Sequence, residues 1–185
     1  MQQSLNALLE ARSVAIVGAT DREGSVGRQI MTQLDVGGFD GAVYPVNPNY
    51  EAVAGRRCYS DIAGLPEQVD VAVLGVGNAR LEEQLTLAAS NGARAAVIFA
   101  SGFEEVERTP PLIERLRRIA LVARMTVCGG NCMGFINFDR RLRLLAFAEP
   151  EALQPGGITW LTHSGSAFSA LLHNNRGLGF NLAVS

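Results

Sequence analysis

The chain has 185 residues, 48% hydrophobic and 18% charged, with 16 Lys+Arg against 18 Asp+Glu for a net charge of −2. That balance excludes a mainly disordered chain and leaves no electrostatic footprint for a nucleic-acid partner. The start, Met1 to Asn6, has neither a basic n-region nor a long apolar h-region, and no apolar run reaches the ~18–20 residues of a membrane span, so no membrane partner is expected.

Short apolar runs alternate with helical patterns. Ser13 to Val17 is a continuous apolar run closed by Gly18, the mark of a strand buried on both faces. Val26 to Val36 carries Ile30, Met31 and Leu34 on one helical face and stops before Gly37-Gly38. Ala42 to Val46 reads as a second strand, Asp61 to Leu65 as a short helical turn, and Val69 to Val76 as a third strand. A helix over Ala79 to Asn91, a strand over Ala95 to Ala100, a helix from Pro110 to Arg124 and a strand from Met125 to Cys128 follow. Strands joined by helices of this length imply βαβ crossovers, hence an α/β domain with a doubly wound parallel sheet over residues 1–140.

After Asn137 the pattern changes. Residues 141–157 read as a connector, with Pro155-Gly156-Gly157 as a turn. Residues 158–185 then give a strand at Ile158 to Thr162, a helix after Ser164-Gly165 to about Asn175, and a strand at Asn181 to Ser185. One βαβ unit cannot cover both its faces, so an exposed apolar face is expected there, favouring association, for example as a homo-oligomer.

In an open α/β sheet, ligands bind at the carboxyl ends of the strands. The loop from Gly18 to Gly27 sits there, and its glycines and helix N-terminus suit a pyrophosphate, although the spacing is longer than G-x-G-x-x-G. A structural turn is the alternative. Asn47 stands where an NAD site would carry Asp or Glu, so the ribose hook is missing. The loops at Gly75 to Arg80 and Ala100 to Phe103 flank the same cleft. Three cysteines, Cys58, Cys128 and Cys132, cannot complete a disulfide framework and fit reduced thiols in a cytoplasmic protein. Cys128 and Cys132 sit four apart, but with only His163 and His173 downstream they read as ordinary buried thiols and no metal is expected.

Taken in order, Arg12 to Thr20, Gly24 to Gly27, Tyr44 to Pro48, Leu65-Pro66 with Val69-Asp70, Ser101 to Glu105, Gly130 to Gly134 and Thr162 to Gly165 resemble the CoA-binding domain of NDP-forming (ADP-forming) acyl-CoA synthetases, the superfamily of the succinyl-CoA synthetase α subunit. The resemblance implies a Rossmann-like domain followed by the first βαβ portion of a flavodoxin-like ligase domain. It implies coenzyme A as cofactor, with Gly18, Thr20, Asp21, Gly24, Ser25, Val26 and Gly27 around the phosphates. Asn47, Pro48 and Asn49 would lie by the adenosine, and Phe99, Ala100 and Ser101 by the pantetheine, with Val76 also among the CoA-binding residues. Asn131, Cys132, Ser164 and Gly165 would stand near the reaction centre.

Two departures are visible. Gly130 replaces the Pro of the usual Gly-Pro-Asn-Cys motif, and the chain ends before the family's phosphohistidine, which His163 does not match. ATP, ADP and Mg would therefore act only through missing ligase and ATP-grasp domains or a subunit, and this chain alone would lack a catalytic residue. The alternatives are a CoA or acyl-CoA sensing module, as in some protein acetyltransferases, and an NAD(P)-binding redox domain.

Overall fold

The structure, a computed structural model, describes residues 5–106, 108–149 and 153–185. A short helix α1 (Asn6–Leu9) leads into β1 (Ser13–Val17), α2 (Val26–Gly37) and β2 (Ala42–Val46). A two-stranded ladder of β3 (Ala52–Val53) and β4 (Arg56–Arg57) follows, with a 3-10 turn at Ile62–Gly64. Then come β5 (Val71–Leu74), α3 (Asn78–Ser90), β6 (Ala95–Ile98), α4 (Leu112–Ala123) and β7 (Thr126–Cys128). The five main strands form one parallel sheet in the order β2-β1-β5-β6-β7.

Every residue of β1, β5 and β6 is buried, which is why these strands read as unbroken apolar runs. Alternate residues serve opposite faces. Val14, Ile16, Val71 and Val73 meet Ile30, Met31 and Leu34 of α2. Ala15, Val17, Ala72 and Leu74 meet Leu81 and Leu85 of α3 and Leu112 and Leu116 of α4. Both faces are thus covered by helices whose apolar residues recur at i, i+4, and the α/β doubly wound parallel arrangement is the observed one.

The region after Cys128 departs from expectation. Gly134–Asn137 and Leu142–Leu145 are strands, β8 and β9, paired antiparallel as a hairpin. They join β10 (Pro155–Leu161) and β11 (Phe180–Val184) in a four-stranded sheet ordered β10-β11-β8-β9, with α5 (Gly165–Leu172) between the last two in sequence. The β10-α5-β11 unit is parallel, and β8 pairs antiparallel with β11.

The stretch 141–157 is therefore more than a connector. Leu142, Leu144 and Leu145 are fully buried, and a four-residue strand interrupted by Arg143 has too little periodicity to stand out in sequence. Pro155-Gly156-Gly157, expected as a turn, opens β10, where a register shift lets the strand accept it. Pro150 and Glu151 of the expected connector lie outside the described residues.

The hairpin covers the βαβ unit on one side. Phe135, Leu142 and Leu144 pack into the same core as α2 and β1. On the other side Ile136 and Leu145 meet Phe168, Leu172, Phe180 and Ala183. Within residues 153–185 the exposed large apolar side chains are on β10, where Ile158 and Leu161 are 40% and 64% exposed.

Candidate functional site at the strand ends

Strand order reverses between β1 and β5, because β1 continues to β2 on one side and the chain returns to β5 on the other. That reversal opens a crevice at the carboxyl ends. A cleft of about 740 Å³ occupies it. The loop after β1 forms one wall. Gly18 has φ +89°, and a Cβ there would lie 2.6 Å from the Gly75 carbonyl oxygen; one on Gly27 would lie 2.1 Å from that of Gly18. Only glycine lets the loop, the start of α2 and the end of β5 approach this closely.

Ser25 caps α2, its hydroxyl accepting from the Arg28 N–H at 3.3 Å, while Arg28 in turn donates to the Asp21 carbonyl. The Thr20 hydroxyl accepts from the Arg22 N–H at 3.2 Å and donates to the Tyr50 hydroxyl at 2.9 Å. Asn47 ties the two loops together: its amide donates to the Ala19 carbonyl at 2.8 Å and accepts from the Asn49 N–H at 3.1 Å. This side chain is spent on bracing the loops, which explains an amide where a dinucleotide site would carry a carboxylate.

The structure gathers Gly18, Thr20, Gly24, Ser25, Val26, Gly27, Asn47, Asn49, Val76, Phe99, Ala100 and Cys132 around this one cleft. It sets others aside. Asp21 turns its carboxylate to the Ala54 N–H at 3.0 Å, and Pro48 is absent from the lining. The Ser101 hydroxyl accepts from the Asn78 amide at 3.0 Å, a brace between loops. Asn131 lines a neighbouring cavity with His163, Thr162 and Ser185, and Cys132 borders both spaces. Ser164 caps α5 by accepting from the Ala167 N–H at 3.2 Å, and Gly165 packs against Met133, a cleft residue.

Sequence reasoning missed Arg22, Tyr50, Met133, Ala146 and Phe147 as lining residues. Arg22 lay inside the glycine loop and could have been selected by its charge. Ala146 and Phe147 sat in the supposed connector; Phe147 is held edge-on to Phe168 at 6.4 Å. Among the described residues Arg22 is the only charged side chain in the lining, so no carboxylate opposes an anion. The cleft crosses from β2 to β6 and on to the turn after β7, with strands spaced ~4.8 Å apart. Its β1–β2 end is polar and glycine-rich, and its far end carries Phe99, Met133, Phe147 and the Cys132 thiol. An elongated ligand with an anionic head and a less polar tail matches that gradient.

Comparison with known proteins agrees. A family profile described as CoA binding domain matches residues 12–137. The chain is 34% identical over 162 residues to an acetate–CoA ligase (ADP-forming) of Methanocaldococcus jannaschii, covering 87% of this chain and 22% of that protein. It is 30% identical to the α subunit of an acetate–CoA ligase (ADP-forming) of Pyrococcus furiosus, covering 91% of this chain and 37% of the subunit. A solved acetyl-coenzyme A synthetase 1 of Candidatus Korarchaeum cryptofilum, in complex with phosphate and ADP, superposes with a TM-score of 0.89 at 31% identity. That match covers 100% of this chain and 39% of the solved one. The chain thus spans well under half the length of these relatives. With residues 12–137 matched and the cleft built at their strand ends, the chain belongs to the CoA-binding domain family, in the form found in ADP-forming acyl-CoA ligases.

Proposed function

We propose that this chain binds coenzyme A across the ends of β2, β1, β5 and β6 and serves as the CoA-binding portion of an ADP-forming acyl-CoA synthetase. The observation that carries the reading is the polarity of the cleft, from Arg22 and the α2 N-terminus at one end to Met133 and Cys132 at the other. The N–H groups at the start of α2 and the Arg22 guanidinium receive phosphate. Asn49 and Tyr50 flank the adenosine, Val76, Phe99 and Ala100 flank the pantetheine, and the CoA thiol is delivered towards Cys132. Asp21, Pro48 and Ser101 hold the loops in shape.

The whole reaction joins acid, CoA and ATP to give acyl-CoA, ADP and phosphate. In this reading ATP, ADP and Mg act on ligase and ATP-grasp parts outside these residues, in one polypeptide or a partner subunit. Asn131, Cys132, Ser164 and Gly165 stand nearest the reaction centre. Three free cysteines suit a reducing, cytoplasmic setting.

Calorimetric titration with CoA, dephospho-CoA and NAD tests this. Saturable CoA binding is expected, weakened roughly tenfold by Arg22→Ala, a loss of about 1.4 kcal/mol. NAD binding with silence towards CoA would overturn the reading in favour of a redox domain.

A further inference from the structure

Cys128 ends β7, and Cys132 follows the turn Gly129-Gly130-Asn131. The turn is pressed against the end of β6. The Asn131 N–H donates to the Ala100 carbonyl at 2.9 Å, and a Cβ on Gly129 would lie 2.1 Å from the Ile98 carbonyl oxygen. The two sulfurs are brought to 3.9 Å, with Cys128 S–H donating to Cys132 Sγ. Neither residue is sealed in the core; both are partly exposed, unlike Cys58. Cys132 borders the cleft beside Met133. Closing the pair to a bond of ~2.05 Å needs the sulfurs to approach by about 2 Å.

We propose that Cys128 and Cys132 form an exchange-active dithiol that reduces a disulfide carried into the cleft by a CoA-type ligand. This rests on the CoA reading above. The Cys132 thiolate attacks one sulfur of the disulfide R–S–S–R, forming Cys132–S–S–R and releasing R–S⁻, which takes up a proton. Cys128 then loses its proton and attacks Cys132 Sγ, expelling the second R–S⁻, which is protonated in turn. The ligand disulfide is reduced to two thiols, the protein dithiol is oxidised to one disulfide, and two thiols of the same class reverse the reaction.

The division of labour follows the surroundings. The Cys128 S–H and the backbone N–H groups of Gly134 and Cys132 favour a thiolate on Cys132 against the opposing effect of burial. Cys128 is held well above the usual thiol range by its donation to Cys132 and by burial. Cys132 borders the cleft, so it attacks, and Cys128, which is not in the lining but lies 3.9 Å behind it, resolves.

The test incubates the full, pre-reduced chain with CoA disulfide or glutathione disulfide at equal concentration, followed by mass spectrometry and non-reducing peptide mapping. CoA disulfide is expected to link Cys128 to Cys132 on the order of tenfold faster than glutathione disulfide. Cys128→Ser is expected to stop at a stable CoA adduct on Cys132, and Cys132→Ser to give neither adduct nor linkage. The proposal is overturned if both cysteines stay alkylatable, if the two disulfides react equally fast, or if the adduct forms on Cys58. Because linkage is read on the wild-type chain, misfolding of a variant cannot rescue or sink the result. Titrating the reduced chain with CoA separates the two claims: CoA binding without linkage overturns only the dithiol, whereas linkage at equal rates without CoA binding overturns both.

Discussion

The two sheets are held in different ways. In the first, β1, β5 and β6 are buried on both faces and flanked by paired strands. In the second, β10 pairs among the described residues on one side only, with β11, and all but Trp160 of its residues are exposed. The first sheet therefore carries the stability that shapes the cleft, while the second has a covered half, around Phe135, Ile136 and Phe168, and an uncovered margin. What separates them is how many faces each strand buries, since both contain β-branched and aromatic residues.

Substitutions in the two regions put this difference to the test. Gly27→Ala forces a methyl onto the Gly18 carbonyl, a backbone atom with no room to yield. It should cost about 3 kcal/mol or more in urea unfolding and abolish CoA binding. Gly24→Ala, with positive φ but nothing within 4 Å, should cost only about 1–2 kcal/mol. Phe168→Ala, fully buried under the second sheet, should cost about 3 kcal/mol by the same assay while leaving the β1–β5 crevice formed. A loss of CoA binding as complete as that of Gly27→Ala would show that the two sheets do not fail independently.

Acid and base should discriminate the regions further. Burial pushes the Asp70 carboxyl up, but the Arg12 N–H, the Arg94 guanidinium and the Ser13 N–H more than offset this and hold it below its ordinary value. Its contribution is present above the unfolded value of about 3.9 and is lost as pH falls through the lower folded value. Asp70→Asn should cost about 1–2 kcal/mol at pH 7 and flatten the acid limb of the stability curve.

Glu149, beside the second sheet, is shifted the other way. Burial raises it against His173, whose Nε2 lies 2.6 Å from its carboxylate, and against the charge of Arg143. Its contribution is present below the unfolded value of about 4.3 and is lost as pH rises through the folded one. Urea midpoints of wild type and Glu149→Gln, compared from pH 4 to pH 8, should move in favour of Gln as pH rises; a constant difference would contradict the assignment. Last and smallest, Leu161→Ala on β10 should change stability by no more than about 0.5 kcal/mol.

The same difference governs what the sequence reveals. Ser13–Val17 and Ala42–Val46 coincide with the strands read from their apolar runs, and α3 and α4 fall within two residues of the expected bounds. Strands covered by helices on both faces leave long uninterrupted signals. The hairpin of β8 and β9 was invisible because each strand is four residues long and one carries Arg143 at its centre. Its burial depends on α2 and β11, which are remote in sequence. The cleft was legible at the glycine loop and at Asn47, where backbone geometry dictates residue type. Met133 and Phe147 were not, since an apolar side chain at a site looks in sequence like one in a core.

The pairing of β8 with β11 also bears on how such chains exchange parts over evolutionary descent. Strands 134–137 and 180–184 are neighbours in space but separated by β9, β10 and α5 in the gene. A crossover between two diverged relatives after β9 and before β10 would join a hairpin from one lineage to a βαβ unit from another, and Ile136 would have to fit a foreign Phe168 and Ala183. Breakpoints in the turn at residues 129–133 keep the four-stranded sheet in one inherited block, at the expense of parting Cys128 from Cys132. Strand pairing thus favours inheriting residues 134–184 as a unit, and mosaic genes should carry their seams outside it.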